Sequence, residues 1–443
     1  MTTAAPSTHS PARPATHSAL PHKPELAING GAPVSKTAVP FMSTGLQPAD
    51  IDAATAVLKS GMLRAAKKCE ELEQRFAAMT GAKHMMTCAN GTCALQLAYE
   101  PLFKAGDDVL VPAWTYIATV SMVVARGGNP IFVDALPDTM QIDMADAARK
   151  LTPRTTAIAA THLYGCPVDI DAVQSLARKH NLKVIYDAAQ AHLSTYKGKG
   201  IGAYGDAVTY SFYATKNLGT GEGGSISCND DALARQIKLL RSHGETDKYL
   251  HEQVGYNYRM NDITGAIGCS KLDRLQAETD ARRAVAKKYD AAIAHIDGLM
   301  APATTPGAEA VYHLYVARLD TGKFLCTRDQ FCDALKAEGV PTAIHYPRPL
   351  TRQPAFSRFV KSTPAPGTMG GTGHCGAGCG CAGGMGAAVG VGGGGAPVRQ
   401  DHPPVADMLS KQVFALPMHH ALTPDQIKSV TDALTKVAAA YRA

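Results

Sequence analysis

The chain has 443 residues, too many for one ordinary hydrophobic core and enough for two or more folding units. Apolar residues make up 45% and charged residues 19%, the balance of a soluble globular enzyme. The formal charge of +6 is spread over scattered Lys and Arg without a basic run, which argues against a nucleic-acid footprint, and no apolar stretch reaches transmembrane length.

Residues 1–24 are rich in Ala, Pro, Ser, Thr and His and lack a continuous apolar block, so they read as a disordered tail and not as a secretory signal. From about residue 105, short apolar runs end at Gly, Pro or Asp: "DDVLVPA" (107–113), "NPIFVDA" (129–135), "TTAIAATHLYG" (155–165), "LKVIYDAA" (182–189) and "DAVTYSFYATK" (206–216). Helical stretches such as "DAVQSLARKHN" (171–181) lie between them. Apolar runs without polar alternation suit strands buried on both faces, and their repetition with helices predicts an α/β fold with a mainly parallel central sheet. A long helical stretch over roughly 262–296 leads into a smaller C-terminal α/β unit containing "HLYVARL" (313–319), a helix near 328–338 and "VPTAIHYPRPL" (340–350). The expected division is a large domain over 25–285 and a small one over 286–443. Residues 363–398 interrupt the small domain with a Gly-dominated, low-complexity stretch that reads as a disordered insertion. The cysteine count is odd, 11, and no signal segment precedes it, which points to reduced thiols in a cytoplasmic setting.

Four segments carry candidate chemistry. In "CANGTCALQLAY" (88–99), Gly91 and Thr92 open a helical pattern, where backbone N–H groups can bind phosphate; an Asn-Gly turn with a Thr cap accounts for them equally well. In "PAWTYIAT" (112–119), the aromatics beside Thr115 could stack on a flat ring or belong to the core. In "YDAAQAH" (186–192), Asp187 ends an apolar run, where a carboxylate can hold a proton on a heteroaromatic nitrogen, and Gln190 can reach a ring hydroxyl. Alone, Asp187 reads more simply as a turn cap. In "SFYATKNLGTGEGG" (211–224), Lys216 sits before a Gly-rich loop and Ser211 offers a hydroxyl to phosphate. An enclosed lysine loses its charge readily and becomes a nucleophile, yet alone it reads as a surface residue. The order is more telling than any member. Phosphate cradle, aromatic, strand-end Asp and then Lys 29 residues on (216 − 187 = 29) is the layout of a pyridoxal-phosphate (PLP) enzyme of fold type I.

With "VPAWTYIAT", "HLYGCPVDIDA", "DAAQAH", "YSFYATKNLGTGEGG", "GYNYRMNDITGAIG" and "HYPRPLTRQPAF", the chain resembles the DegT/DnrJ/StrS-type aminotransferases over nearly its whole length. The resemblance implies a PLP-dependent transaminase that aminates a keto group of a nucleotide-linked sugar, with glutamate as amino donor. It implies Lys216 as the Schiff-base lysine and Asp187 as partner of the pyridine nitrogen. Gln190 would reach the ring oxygen, and Gly91, Thr92 and Ser211 would hold the phosphate. Tyr116 would stack on the ring, and His345 and Tyr346 would lie near the substrate. Asn257 would reach the phosphate of a neighbouring subunit, so a homodimer with shared active sites is implied. Trp114, the only tryptophan, departs from the family pattern and could change the pocket.

Relatives acting on a keto-cyclitol (an inosose) or making amino-aromatic precursors share these motifs, and a non-catalytic or regulatory PLP-binding relative is the alternative of a different class. A soft-metal site at His374, Cys375, Cys379 and Cys381 of the insertion fits no common zinc spacing, so no metal is expected.

Overall fold

In the computed structural model, which describes residues 25–43, 45–361 and 400–442, the five apolar runs supply five strands of one seven-stranded sheet. The expected tail and the Gly-rich insertion lie outside the described residues. The strands are β1 (His84–Cys88), β2 (Asp108–Pro112), β3 (Asn129–Val133), β4 (Thr155–Thr161), β5 (Lys183–Asp187), β6 (Ala207–Ser211) and β7 (Gly224–Cys228). Their order is β1-β7-β6-β5-β4-β2-β3. All pairings from β3 to β6 are parallel, while β7 runs antiparallel to both β6 and β1. The C-terminal ends of the parallel strands therefore share one edge, where α/β sheets place ligands. Thr161, Asp187 and Thr209 are direct neighbours across that edge.

Successive residues of each strand face opposite sides. Val109, Val111, Ala159, Ile185 and Ala207 enter one core, with helix α3 (Gly91–Leu102) packed over them. Leu110, Ile158, Ala160, Tyr186 and Val208 enter a second core, covered by α2 (Lys67–Thr80), α5 (Ile170–His180) and the first half of α7 (Asp262–Ile293), to which α1 (Pro48–Ser60) is tied by Asp50 accepting from Ser270 and Arg274. On the α3 side the chain also forms α4 (Ala118–Ala125) and α6 (Asp231–Arg241). Local chemistry sets the helix ends. The side chains of Asn90, Asp169 and Asn261 cap α3, α5 and α7 by accepting from Cys93, Ala172 and Thr264 N–H. The long helix expected over 262–296 is thus observed as α7, beginning at its cap.

A third core belongs to the C-terminal residues. Three antiparallel strands, β8 (Leu299–Met300), β9 (Tyr315–Leu319) and β10 (Val413–Leu416), pack against the end of α7, α8 (Arg328–Ala337) and α9 (Pro424–Tyr441). Capping boxes begin both α8 (Thr327 with Gln330) and α9 (Thr423 with Gln426). The start of the described chain joins this core through Leu26 and Val39. Buried Glu338 clasps it, accepting from Ala27 N–H (2.8 Å), Val34 N–H (3.0 Å) and the Lys436 ammonium (2.9 Å). No helix among the described residues is long and apolar enough to cross a membrane.

Candidate active site

Asp187 ends β5 and is buried, 5% exposed. Its Oδ2 accepts from the Thr119 hydroxyl of α4 (2.6 Å) and its Oδ1 from Ala189 N–H (3.0 Å). No cation pairs with it among the described residues. Burial raises its carboxyl above the usual range, against the lowering pull of those two hydrogen bonds and of the Lys216 charge. A buried carboxylate in this state lacks one cationic partner.

Lys216 follows β6 on a turn in which its N–H donates to Tyr213 O (2.8 Å). Its ammonium makes no hydrogen bond or ion pair among the described residues. Burial pushes the amine down to about 8, with Asp187 opposing. An amine and a carboxylate, neither paired with an opposite charge, thus act on one another through their charges.

The third member is the start of α3. Asn90 takes Cys93 N–H, which leaves the first N–H groups, of Gly91 and Thr92, without intrahelical partners. The residue at 91 must be glycine, because a Cβ there would stand 2.8 Å from Ser211 Cβ at the end of β6. Helix start and serine hydroxyl are thereby pressed together, a ready anion cradle. A phosphate-bearing pyridine aldehyde fits this set. Its ring nitrogen would supply the partner that Asp187 lacks, its phosphate would take the free N–H groups, and its aldehyde the Lys216 amine.

Across from these groups stand residues of the C-terminal part. The Tyr164 N–H donates to Gln190 Oε1 (2.6 Å), and Gln190 Nε2 donates to the Tyr346 hydroxyl (3.4 Å). Gln190 is thus fixed by one end and keeps a second hydrogen on Nε2. The Tyr164 hydroxyl donates to the His345 carbonyl and accepts from Trp114 Nε1–H (3.0 Å). Trp114 is 1% exposed, and its ring meets Tyr346 edge-on at 5.9 Å. The tryptophan acts behind the site, as a support for Tyr346, and does not line an open pocket. Tyr116 is 59% exposed, with its ring 6.5 Å from that of Tyr346. Burial, and then the Lys216 charge, lower the His345 imidazole.

Asn257 takes no part in these hydrogen bonds and is exposed. Its neighbours Tyr256 and Tyr258 stack at 4.7 Å and donate to Glu100 (2.6 Å) and Gln96 (3.0 Å) of α3. That anchors the segment to the helix that begins at the anion cradle.

The sequence reading missed Thr119, Tyr164, His192 and the pair Asn217–His313. All of them lie inside segments already quoted, His313 at the head of "HLYVARL", but their residue types are common and only contact reveals them. His192 is fully buried among Phe76, Tyr210 and Phe212, and neither ring nitrogen is bonded. Burial pushes it down to about 3, so it is neutral. Among the described residues no group of three or more His, Cys, Asp or Glu is arranged for a metal, and the four insertion residues weighed for one lie outside them.

Comparison with known proteins accords with this geometry. The sequence profile of the DegT/DnrJ/EryC1/StrS aminotransferase family matches residues 46–370. The UDP-2-acetamido-2-deoxy-3-oxo-D-glucuronate aminotransferase of Pseudomonas aeruginosa is 35% identical over 381 residues, 86% of this chain and 93% of that protein. The dTDP-3-amino-3,4,6-trideoxy-alpha-D-glucose transaminase of Streptomyces venezuelae is 38% identical over 312 residues, 70% of this chain and 81% of that protein. The crystal structure of S. venezuelae DesV in complex with a ketimine intermediate superposes with a TM-score of 0.78 at 32% identity, covering 91% of this chain and 99% of that one. This chain belongs to the DegT/DnrJ/EryC1/StrS aminotransferase family and is a PLP-dependent transaminase of fold type I.

Proposed function

We propose that the chain transfers an amino group from an amino acid, glutamate first, to a keto group of a nucleotide-linked sugar. The observation that carries the reading is the buried, cation-free Asp187 carboxylate beside the unpaired Lys216 amine. Relatives named for UDP- and dTDP-linked sugars support the acceptor class. PLP, when bound, supplies an electron sink for the carbon that carries the transferred amine.

The chain's own groups do the rest. The Asp187 carboxylate would hold a proton on the ring nitrogen. Gly91 and Thr92 N–H and Ser211 Oγ would hold the phosphate, Gln190 Nε2 would donate to the ring oxygen, and Tyr116 would stack on the ring. Lys216 Nζ, with its affinity for protons lowered towards neutrality, would take a proton from the donor carbon that bears the amine and, in the second half-reaction, give one to the acceptor's former keto carbon. His345 and Tyr346 bound the sugar side. Asn257 donates to the phosphate of a second copy, which makes the enzyme a homodimer with shared sites; its exposure beside two tyrosines anchored on α3 supports this. Residues 25–285 form the cofactor domain and 286–443 the smaller one, with the arm 26–39 reaching across to it. The cysteines of the described residues are all free thiols, which supports a cytoplasmic location.

The test is a panel of keto-sugar nucleotides and inososes incubated with the enzyme in its aminated cofactor form, followed by absorbance. Recovery of the PLP band with a keto-sugar nucleotide is expected. Recovery with inososes alone would move the acceptor to keto-cyclitols. A protein that binds PLP but exchanges amino groups with no donor or acceptor would be the regulatory relative.

A further inference from the structure

The residue after Lys216 is held at both ends of its amide. Asn217 is 5% exposed, and its Nδ2 donates to Val311 O (3.2 Å). That contact fixes the amide orientation, so Asn217 Oδ1 faces His313 Nδ1 at 3.3 Å. Two acceptors cannot share this contact, so His313 carries its proton on Nδ1 and donates.

The strap 310–314 that supplies these partners is itself fixed. Val311 N–H donates to Gly165 O (2.9 Å), Leu314 N–H to Tyr164 O (3.4 Å), and Arg283 Nε to Ala310 O (3.0 Å). Buried Arg282 of α7 donates to Tyr312 O (3.3 Å) and Met418 O (3.0 Å). Gly165, at φ +95°, leaves room for the strap, since a Cβ there would stand 2.9 Å from Val311 Cγ2 and 3.0 Å from His313 N. The strap is thus bound rigidly to the large unit, and among the described residues Asn217 is the side chain of the Lys216 turn that hydrogen-bonds to it.

We propose that His313 is a positioning residue, which through Nδ1–H and Asn217 aims the Lys216 amine into the site and keeps it shielded from water. The inference rests on the assignment of Lys216 under the proposed function. The ionisable groups facing Lys216 are Asp187 of β5 and the imidazoles of His192, His313 and His345; behind His313 stands Arg282. Burial, then the charges of Lys216 and Arg282, hold His313 far below the usual imidazole range, so it stays a neutral donor.

Two readouts test this. In cofactor-free enzyme, the pH dependence of Lys216 labelling by trinitrobenzenesulfonate, followed by peptide mapping, gives the titration midpoint of the amine. In holoenzyme, kcat and KM are measured separately. His313→Leu should raise the Lys216 midpoint by about one unit, as the amine gains water, a shift of the size desolvation commonly sets. It should lower kcat by about tenfold or more through misplacement, with KM changed less than about threefold. Asn217→Ala should do the same, and the double variant should be no worse than the more severe single one. His313→Asn, whose amide nitrogen falls near the imidazole Nδ1, should restore the midpoint. An unchanged midpoint in folded His313→Leu, or His313→Asn behaving like His313→Leu, overturns the inference. If His313→Leu does not fold, an unchanged midpoint in Asn217→Ala overturns it alone. Borohydride reduction of the holoenzyme separates the two levels, since a label on another lysine refutes the cofactor reading, whereas an unmoved Lys216 midpoint refutes only the role of His313.

Discussion

Replacing Asp187 by Asn tests the electron sink while nearly preserving the fold. Ala189 N–H needs an acceptor at the Oδ1 position, so the new amide nitrogen must take the Oδ2 position, facing Thr119. The Thr119 hydroxyl can then turn its hydrogen to Thr161 Oγ1, 3.4 Å away, and accept from the amide. Both contacts of residue 187 survive, while the Thr161 hydroxyl, which accepts from Thr115 and donates to Thr119, loses its acceptor, so the stability change should be about 1 kcal/mol, the size of one hydrogen bond. The ring nitrogen fares differently, because it loses its only charged partner in a site where Asp187 is 5% exposed. Removing one member of a buried charge pair costs about 3–5 kcal/mol, and about 4 kcal/mol placed on the barrier is roughly 10³-fold in rate. Stopped-flow absorbance of the half-reaction with glutamate measures that rate directly. Thermal melting and the PLP spectrum of the same sample show whether it is folded and loaded. A folded, loaded Asp187→Asn enzyme within about tenfold of the parent rate would refute the assignment and place the nitrogen partner elsewhere.

Lys216 carries a pH prediction for cofactor-free protein. Its amine sits near 8 in the fold against 10.5 ordinarily, so between those values the unfolded chain binds more protons and stability rises with pH. Lys216→Met should melt higher than the parent below pH 8, and the gap should close as pH approaches 10.5; a gap independent of pH would refute the shift. A mixed dimer tests site sharing: combining Lys216→Ala subunits with Asn257→Ala subunits should return activity to near half of wild type, because one site then collects both defects. A hybrid as weak as its parents would mean that each subunit uses its own Asn257. Deleting residues 367–396 should leave PLP affinity unchanged by equilibrium titration. Lys361 N–H donates to Gln400 O (2.8 Å) and Gln400 N–H to Phe359 O (3.0 Å), so the flanks are already joined without that segment. Loss of PLP binding in a folded deletion variant would contradict this.

The sequence by itself determined the layer architecture and the chemistry on offer. Runs such as "DVLVP" carry apolar side chains without polar alternation, and the structure buries them on both faces in a mainly parallel sheet. The order of Gly91, Asp187, Ser211 and Lys216 was legible because each ends or begins an element whose own sequence is clear. Strands β1 and β7 were not legible. In β7, Ser225 and Ser227 are fully buried, and small polar residues leave no apolar run to read. Trp114 reads from sequence as a change to the pocket, yet packing puts it behind Tyr346, where its N–H is used by Tyr164. Nothing local announces that His313 will meet Asn217, 96 residues earlier, or that Thr119 will meet Asp187, 68 residues on. Residue type fixes what a side chain can do, and local pattern fixes the element that carries it. Which groups lose water, and which partners they find when they do, depends on long-range packing, so the unpaired state of Asp187 and Lys216 was decided only by the tertiary structure.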